Sequence, residues 1–325
     1  MNRIPIKLER ADSPEYRVIE WKIHNVCNYN CSFCFDDNKD GSVRWLSLEK
    51  YKEQFDKLYN ICDGMPYWVQ LTGGEPTLYP DLIELLTYIK SKGAYTSILS
   101  NGSRTIRWWK ELRESNLLDV LYITHHSEQK GDYVHNAEVM NLFLDSPTET
   151  ICVVTHVLGT LDSAFEAYDY LIENTGAVIS LKSMIIKEYD INLMYTDNQQ
   201  EKIKKSTMQT GLLRKDKILT DIPEKLHLWH TFLKVEYDDG SIEEMRAQTF
   251  LKNNRPKFKN WQCANGKYYI KLEGDEVRRG VCGEGNVTNI NDIDLKFQDD
   301  YVTCTYDMCY CRSDLASPKY MVKDK

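Results

Sequence analysis

From residue 17 to residue 183, short runs of β-branched and aromatic residues alternate with stretches whose apolar positions recur at three and four. The runs are RVIEWKI (17–23), WVQLT (68–72), YTSILS (95–100), VLYITH (120–125), TICVVTHVL (150–158) and VISLKS (178–183). Between them LEKYKEQFDKLY, DLIELLTYIKSK, IRWWKELRES, AEVMNLFL and SAFEAYDYLIEN carry the 3.6-residue period of amphipathic helices. Strands joined through helices pair in parallel, because the crossover returns the chain to the same end of the sheet. Six such units in series predict an α/β fold with a parallel sheet, open or curled into a partial barrel, and functional loops at the carboxyl ends of the strands.

The pattern loosens over residues 184–225, where only QQEKIKKSTMQTG reads as a surface helix. From residue 226 it changes to hairpins: HLWHTFLKVEY and SIEEMRAQTF around Asp239-Gly240, then KYYIKLEGDEVRRGV. The expected organisation is an N-terminal extension (1–16), an α/β core (17–183), a connector (184–225) and a small, mostly β, cysteine-bearing module (226–325).

The 325 residues suit about two domains. Forty-one basic against 49 acidic side chains give a net charge of −8, a field that repels nucleic acid, so no nucleic-acid partner is expected. No apolar run approaches the roughly 18 to 20 residues of a membrane span, and the N-terminus lacks a signal-peptide stretch. No membrane contact and a cytoplasmic address are expected. Ten cysteines are many for that compartment, where clustered thiols serve metal or redox chemistry.

Three of them, Cys27, Cys31 and Cys34, fall in the loop after the first strand. Structural zinc generally takes four protein ligands, so three leave a coordination position open; zinc with a distant fourth ligand is the alternative. After the second strand, Gly73-Gly74-Glu75-Pro76 offers a flexible, close-approaching backbone with a stiff exit, or simply a turn. Asn101-Gly102 closes the third strand and His125-His126-Ser127-Glu128 the fourth, the histidines reading as acid-base groups or as a polar strand end. Lys182 and Ser183 end the sixth.

The C-x3-C-x2-C loop, with Phe33 just before its last cysteine, resembles the signature of the radical S-adenosylmethionine (SAM) enzymes. The resemblance implies a partial (β/α)6 TIM-like barrel and a 4Fe-4S cluster on Cys27, Cys31 and Cys34, whose fourth iron is chelated by SAM. Phe33 is carried over with the cofactor-binding residues. Gly73, Gly74, Glu75 and Pro76 match the family's GGEP segment, which contacts the methionine amino group, and the Glu75 carboxylate is assigned to that ammonium. Asn101 matches a polar turn of the family. Ser127 stands where relatives place a polar residue near the ribose or carboxylate of SAM.

Cys263, Cys282, Cys304, Cys309 and Cys311 lie around and after the second hairpin. This segment resembles the auxiliary-cluster modules of radical SAM enzymes, the SPASM domain and its shortened twitch form. The stretch from Gly274 to Cys282 is longer than the SPASM pattern, and five cysteines are fewer than a two-cluster domain uses. One twitch-like auxiliary 4Fe-4S cluster is expected, on Cys263, Cys282, Cys309 and Cys311 with Cys304 spare; zinc is the rival metal. Cys62 and Cys152 read as packing.

The resemblance implies reductive cleavage of SAM to a 5'-deoxyadenosyl radical that abstracts hydrogen from a substrate, with an electron donor such as flavodoxin or ferredoxin. An auxiliary cluster that accepts an electron favours a two-electron oxidation or a bond formation. With the first strand starting near residue 17, no leader-binding domain is fused ahead of it. This favours a small sugar-like or nucleotide-like metabolite over a peptide, with a ribosomal-peptide (RiPP) maturase or epimerase as the alternative. A degenerate iron-sulfur or electron-transfer protein that cleaves no SAM is the competing class, and the intact CxxxCxxC and GGEP motifs speak against it.

Overall fold

The computed structural model describes residues 3–11, 17–61, 67–128, 132–156, 159–183, 196–199, 201, 232–246, 250, 257–280, 282, 288–292, 301–306, 309, 315 and 317–322. In chain order the first half comprises β1 (Pro5–Arg10), β2 (Arg17–Lys22), α1 (Leu48–Ile61), β3 (Tyr67–Thr72), α2 (Leu82–Ser91), β4 (Tyr95–Ser100), α3 (Ile106–Glu114), β5 (Val120–His126), α4 (Asp132–Leu142), β6 (Glu149–His156), α5 (Leu161–Asn174) and β7 (Val178–Ser183). The second half contributes the strands β8 (Phe232–Tyr237), β9 (Ile242–Arg246), β10 (Gln262–Cys263), β11 (Tyr269–Glu273), β12 (Glu276–Arg279), β13 (Thr288–Asn289), β14 (Val302–Thr303) and β15 (Lys319–Tyr320). Most of the expected connector, and all but two residues of its expected helix, lie outside the described residues, as do Cys62 and Cys311.

The chain divides into two compact units. One comprises Ile23–Leu48 and Gln70–Asp221, the other Met1–Lys22, Glu49–Val69 and Ile222–Lys325. In the first, β4, β5, β6 and β7 pair in parallel, with Ile123 beside Cys152 and Val153 beside Ser180. Every residue of β6 is buried, as a parallel strand covered on both faces requires. The covering helices use the predicted spacing: α2 buries Leu82, Leu85, Leu86 and Ile89, and α5 buries Ala164, Phe165, Tyr168 and Leu171. Thr105 caps α3 by accepting the Trp108 N–H.

In the second unit β2 runs parallel to β11, Val18 beside Tyr269 and Lys22 beside Glu273, and the β11–β12 hairpin continues to β13. On one face of β2, Trp21 is buried against Tyr51 and Phe55 of α1. On the other, the Tyr269 hydroxyl donates to Glu20, and Lys22 and Lys271 share Glu273. A six-stranded sheet in the order β14-β10-β15-β1-β8-β9 packs Leu8, Leu233, Val235 and Tyr237 against Phe250, Phe258, Trp261 and Leu315.

Two features differ from the sequence expectation. Residues 1–16 are more than an extension, since β1 pairs antiparallel with both β8 and β15. The first strand of the expected core also groups with the cysteine-bearing module, because β11 supplies β2 with a parallel neighbour.

Leu8 is fully buried at the centre of that cluster. Leu8→Ala should therefore lower the unfolding free energy by about 2–5 kcal/mol. Lys7→Ala, on the exposed side of the same strand, should change it by under about 0.5 kcal/mol. Urea denaturation of the two variants checks this, and equal midpoints would remove β1 from the core.

Candidate functional site

The cysteine loop leaves β2 and runs beside the end of β3, where the Ile23 N–H donates to the Thr72 carbonyl (3.1 Å). Beyond β3, Gly74 N–H donates to His24 O (2.9 Å) and Glu75 N–H to Val26 O (2.8 Å). A Cβ on Gly73 would lie 2.5 Å from His24 O, and one on Gly74 2.4 Å from Val26 O. The glycines are thus required by backbone docked on backbone, a closer cause than approach to a ligand.

Glu75 is buried, and its carboxylate accepts four hydrogen bonds from the protein. Oε1 accepts from Thr77 N–H (3.1 Å), the Thr77 hydroxyl (2.5 Å) and the Ser100 hydroxyl (2.8 Å), while Oε2 accepts from Asn101 N–H (2.7 Å). Burial raises its pKa and these donors pull the other way. Sequence reasoning gave this carboxylate to a ligand ammonium; the structure places it as a tie between the loops after β3 and β4. Pro76 opens the short 3-10 turn that follows.

Inside the cysteine loop, the residues between the thiols fasten it. Asn28 Nδ2 donates to Ser103 Oγ (2.8 Å), and Asn28 Oδ1 accepts from Asn101 Nδ2 (3.0 Å). The Tyr29 hydroxyl donates to Asp132 in the first turn of α4. Ser32 donates its N–H (2.9 Å) and its hydroxyl to Glu128. Lys39 Nζ donates to Cys31 O (2.7 Å), which also accepts from Cys34 N–H (3.2 Å). Phe33 stacks on His126 with centroids 5.5 Å apart, and Tyr29 meets the same imidazole edge-on. Sequence reasoning missed Asn28, Tyr29, Ser32, Lys39 and Asp132; the one available signal was that the spacer positions are polar.

The other expected site residues are bound into the protein as well. The Ser127 hydroxyl donates to Thr155 O, and Ser163 donates to Ser127 O (3.2 Å). His125 packs edge-on against Tyr133 and lies 3.4 Å from Asn136 Nδ2. Lys182 is exposed at the end of β7, and Ser183 pairs with His156 in register. Burial pushes His24, His125, His126 and His156 down to about 4. At neutral pH none of the four carries a proton to give as an imidazolium.

Cys31 is buried and Cys27 and Cys34 are half-buried. Burial, then Glu128 and the other two thiols, push the Cys31 pKa up to about 12, with Lys39 opposing; burial also raises Cys27. Three thiolates this close oppose one another's ionisation, and a positively charged metal centre removes the opposition. The donor set therefore fits a metal cluster. Among the described residues no three His, Cys, Asp or Glu side chains converge on one ion-sized centre.

The Radical SAM superfamily profile matches residues 21–137. A probable GTP 3',8-cyclase of Thermococcus kodakarensis is 33% identical over 241 residues, covering 68% of this chain and 73% of that protein. The chain belongs to the radical SAM superfamily. Its parallel strands and covering helices are accordingly those of the superfamily's α/β, partial TIM-like barrel fold, and a 4Fe-4S cluster and SAM are the superfamily's cofactors. A SAM-dependent nucleotide dehydratase of Thermoplasmatales archaeon (strain ISO4-H5) is 31% identical over 129 residues, 39% of this chain and 44% of that protein. The AdoMet-bound structure of anSMEcpe aligns over 87% of this chain and 79% of its own with a TM-score of 0.55, at 15% identity a likeness of fold. Of several other curated relatives the chain spans well under half the length, from 19% to 31%.

The late cysteines of this radical SAM chain sit in the second unit. Cys263 is buried on β10, which pairs with β14 and β15, and Cys304 follows β14, its N–H donating to Trp261 O. Cys304 and Cys309 pack against the Leu8–Trp261 core. Cys282 Sγ accepts from Asn265 Nδ2 (3.1 Å), two residues beyond Cys263. No disulfide joins any described cysteine, and Cys152, fully buried in β6, is packing as expected.

Glu75→Ala should destabilise the protein even without SAM, by roughly 1–3 kcal/mol for each buried donor left unsatisfied. Thermal denaturation in the absence of SAM reads this; an unchanged midpoint together with weaker SAM binding would return the carboxylate to the ligand.

The four histidines fold as neutral groups with pKa near 4 against 6.5 unfolded. Between those values the unfolded chain binds more protons, so their contribution is complete above about pH 6.5 and lost as pH falls toward 4. Denaturation midpoints should already decline between pH 6.5 and 5, above the ordinary carboxylate range. Flat midpoints there would mean that the imidazoles reach water.

Proposed function

We propose that this protein holds a 4Fe-4S cluster on Cys27, Cys31 and Cys34 and cleaves SAM reductively to act on a nucleotide-like or sugar-like metabolite. The observation that carries the reading is the gathering of three mutually opposing thiols in one loop, fastened through its spacer residues and docked on the Gly73-Gly74 turn. When bound, the cluster and SAM supply a 5'-deoxyadenosyl radical able to take hydrogen from carbon. The chain's own residues do the positioning. Asn28 and Ser32 fix the loop to the ends of β4 and β5, Glu75 and Asn101 fix the turns beside it, and Phe33 with His126 forms an aromatic wall that limits water.

The substrate class draws support from the Thermococcus relative, matched along most of both chains and named for GTP, and from the relative named as a nucleotide dehydratase. Action on a ribosomal peptide is the second reading. Cys263, Cys282, Cys309 and Cys311, with Cys304 spare, would supply an auxiliary 4Fe-4S cluster, SPASM- or twitch-like, accepting one electron in a two-electron oxidation or bond formation. A flavodoxin or ferredoxin would supply the reducing electron.

Anaerobic reconstitution of the full chain should give about eight irons, four to each of two cubes. Replacing Cys27, Cys31 and Cys34 together by alanine should halve the iron and abolish 5'-deoxyadenosine. Cys263→Ala or Cys282→Ala should lose the other half while slow SAM cleavage continues without product. A panel of nucleotides and of peptides, scored by accelerated 5'-deoxyadenosine release, separates the substrate readings. SAM cleavage by the triple variant would sink the core assignment, and zinc at the late cysteines would end the electron-acceptor role.

A further inference from the structure

One peptide plane in the cysteine loop is gripped at both ends by opposite charges. Its carbonyl, that of Cys31, accepts from Lys39 Nζ at 2.7 Å. Its N–H, that of Ser32, donates to Glu128 Oε2 at 2.9 Å, and the Ser32 hydroxyl donates to the other carboxylate oxygen. A cation at the carbonyl and an anion at the N–H both favour one orientation of the peptide dipole and oppose its reversal. Charge-assisted bonds of this kind are about twice as strong as neutral ones. The Lys39 side chain is only 13% exposed, so water screens its charge little. Because Cys31 O also accepts the Cys34 N–H, the orientation of this plane fixes the turn that presents both thiols.

We propose that Glu128 and Lys39 are positioning residues that clamp the Cys31–Ser32 peptide and set, with opposite signs, the potential at which the loop's cluster takes its electron. This rests on the reading of Cys27, Cys31 and Cys34 as cluster ligands. A 4Fe-4S cube on three thiolates, its fourth iron bound to a neutral group, carries one net negative charge when oxidised and two when reduced. One electron enters from an external low-potential donor; no bond breaks and no proton moves. A carboxylate beside the site disfavours the added charge and lowers the potential, and an ammonium beside it does the reverse.

Glu128→Gln keeps the shape and an acceptor for Ser32 while removing the negative charge. Lys39→Met keeps the stem and removes the positive one. The full chain, reconstituted with iron and sulfide, is titrated to its midpoint potential by following the electron paramagnetic resonance signal that SAM addition perturbs, which separates this cluster from a second one. The expected result is an upward shift for Glu128→Gln, a downward shift for Lys39→Met, and wild-type values for Glu128→Asp and Lys39→Arg, with iron content unchanged. Shifts of the same sign, or none with iron in place, would overturn the proposal, as would iron loss in both neutral variants, which would make the clamp mechanical only. Failure of the wild-type chain to load iron in this loop would instead overturn the ligand reading beneath it.

Discussion

Backbone touching backbone at Gly73 and Gly74 is the contact on which the rest of the site depends. Any side chain there would overlap the carbonyls of His24 or Val26, so the turn after β3 and the start of the cysteine loop are held at hydrogen-bond distance by the absence of two methyl groups. That docking places Glu75 in the interior, where an isolated carboxylate would be prohibitively costly. Four donors from Thr77, Ser100 and Asn101 offset the cost. The order then propagates, for the residue whose N–H satisfies Glu75 also places its amide on Asn28, between the first two thiols. A steric constraint in one loop becomes an orientation in the next.

Electrostatics sets the second condition. Without a metal centre the loop holds three buried or half-buried thiols; burial raises the pKa of Cys27 and Cys31, the neighbouring thiols and the carboxylates Glu75 and Glu128 add to the effect, and Lys39 opposes it at Cys31. The raised pKa values keep Cys27 and Cys31 protonated in the absence of a metal, so a positively charged core bound there would displace their protons. The surrounding histidines do not compete with that role, since burial keeps them neutral.

The β-α succession and the C-x3-C-x2-C spacing were legible because both are local signals: a change of hydrophobic period, and three thiols within eight residues. Strand limits such as 68–72 and 178–183 differ from the observed elements by at most a residue. What could not be read depends on pairings distant in sequence. PIKLER carries too many charges to announce a strand, and only its partners at residues 233–237 and 319–320 make it one. The parallel neighbour of β2 lies some 250 positions away, so grouping the first strand with the late cysteines had no local trace. The acidic partners of the spacer residues, Glu128 and Asp132, lie 96 and 103 positions from them. Two of the partners of Glu75 had no local trace either, since Ser100 and Asn101 lie 25 and 26 positions on.

Three side chains that the motifs assigned to the cofactor are already committed: Glu75 to the neighbouring loop, Asn101 to Asn28 and Ser103, and Ser127 to the carbonyl of Thr155. Breaking any of these bonds to serve a ligand would leave a buried donor or acceptor without its present partner. In the structure these side chains hold the loops at the carboxyl ends of β3, β4 and β5. The site is thus defined in part by the path of its main chain. Its tolerance to substitution is then governed less by which side chains could reach a ligand than by which ones the loops need to keep their course.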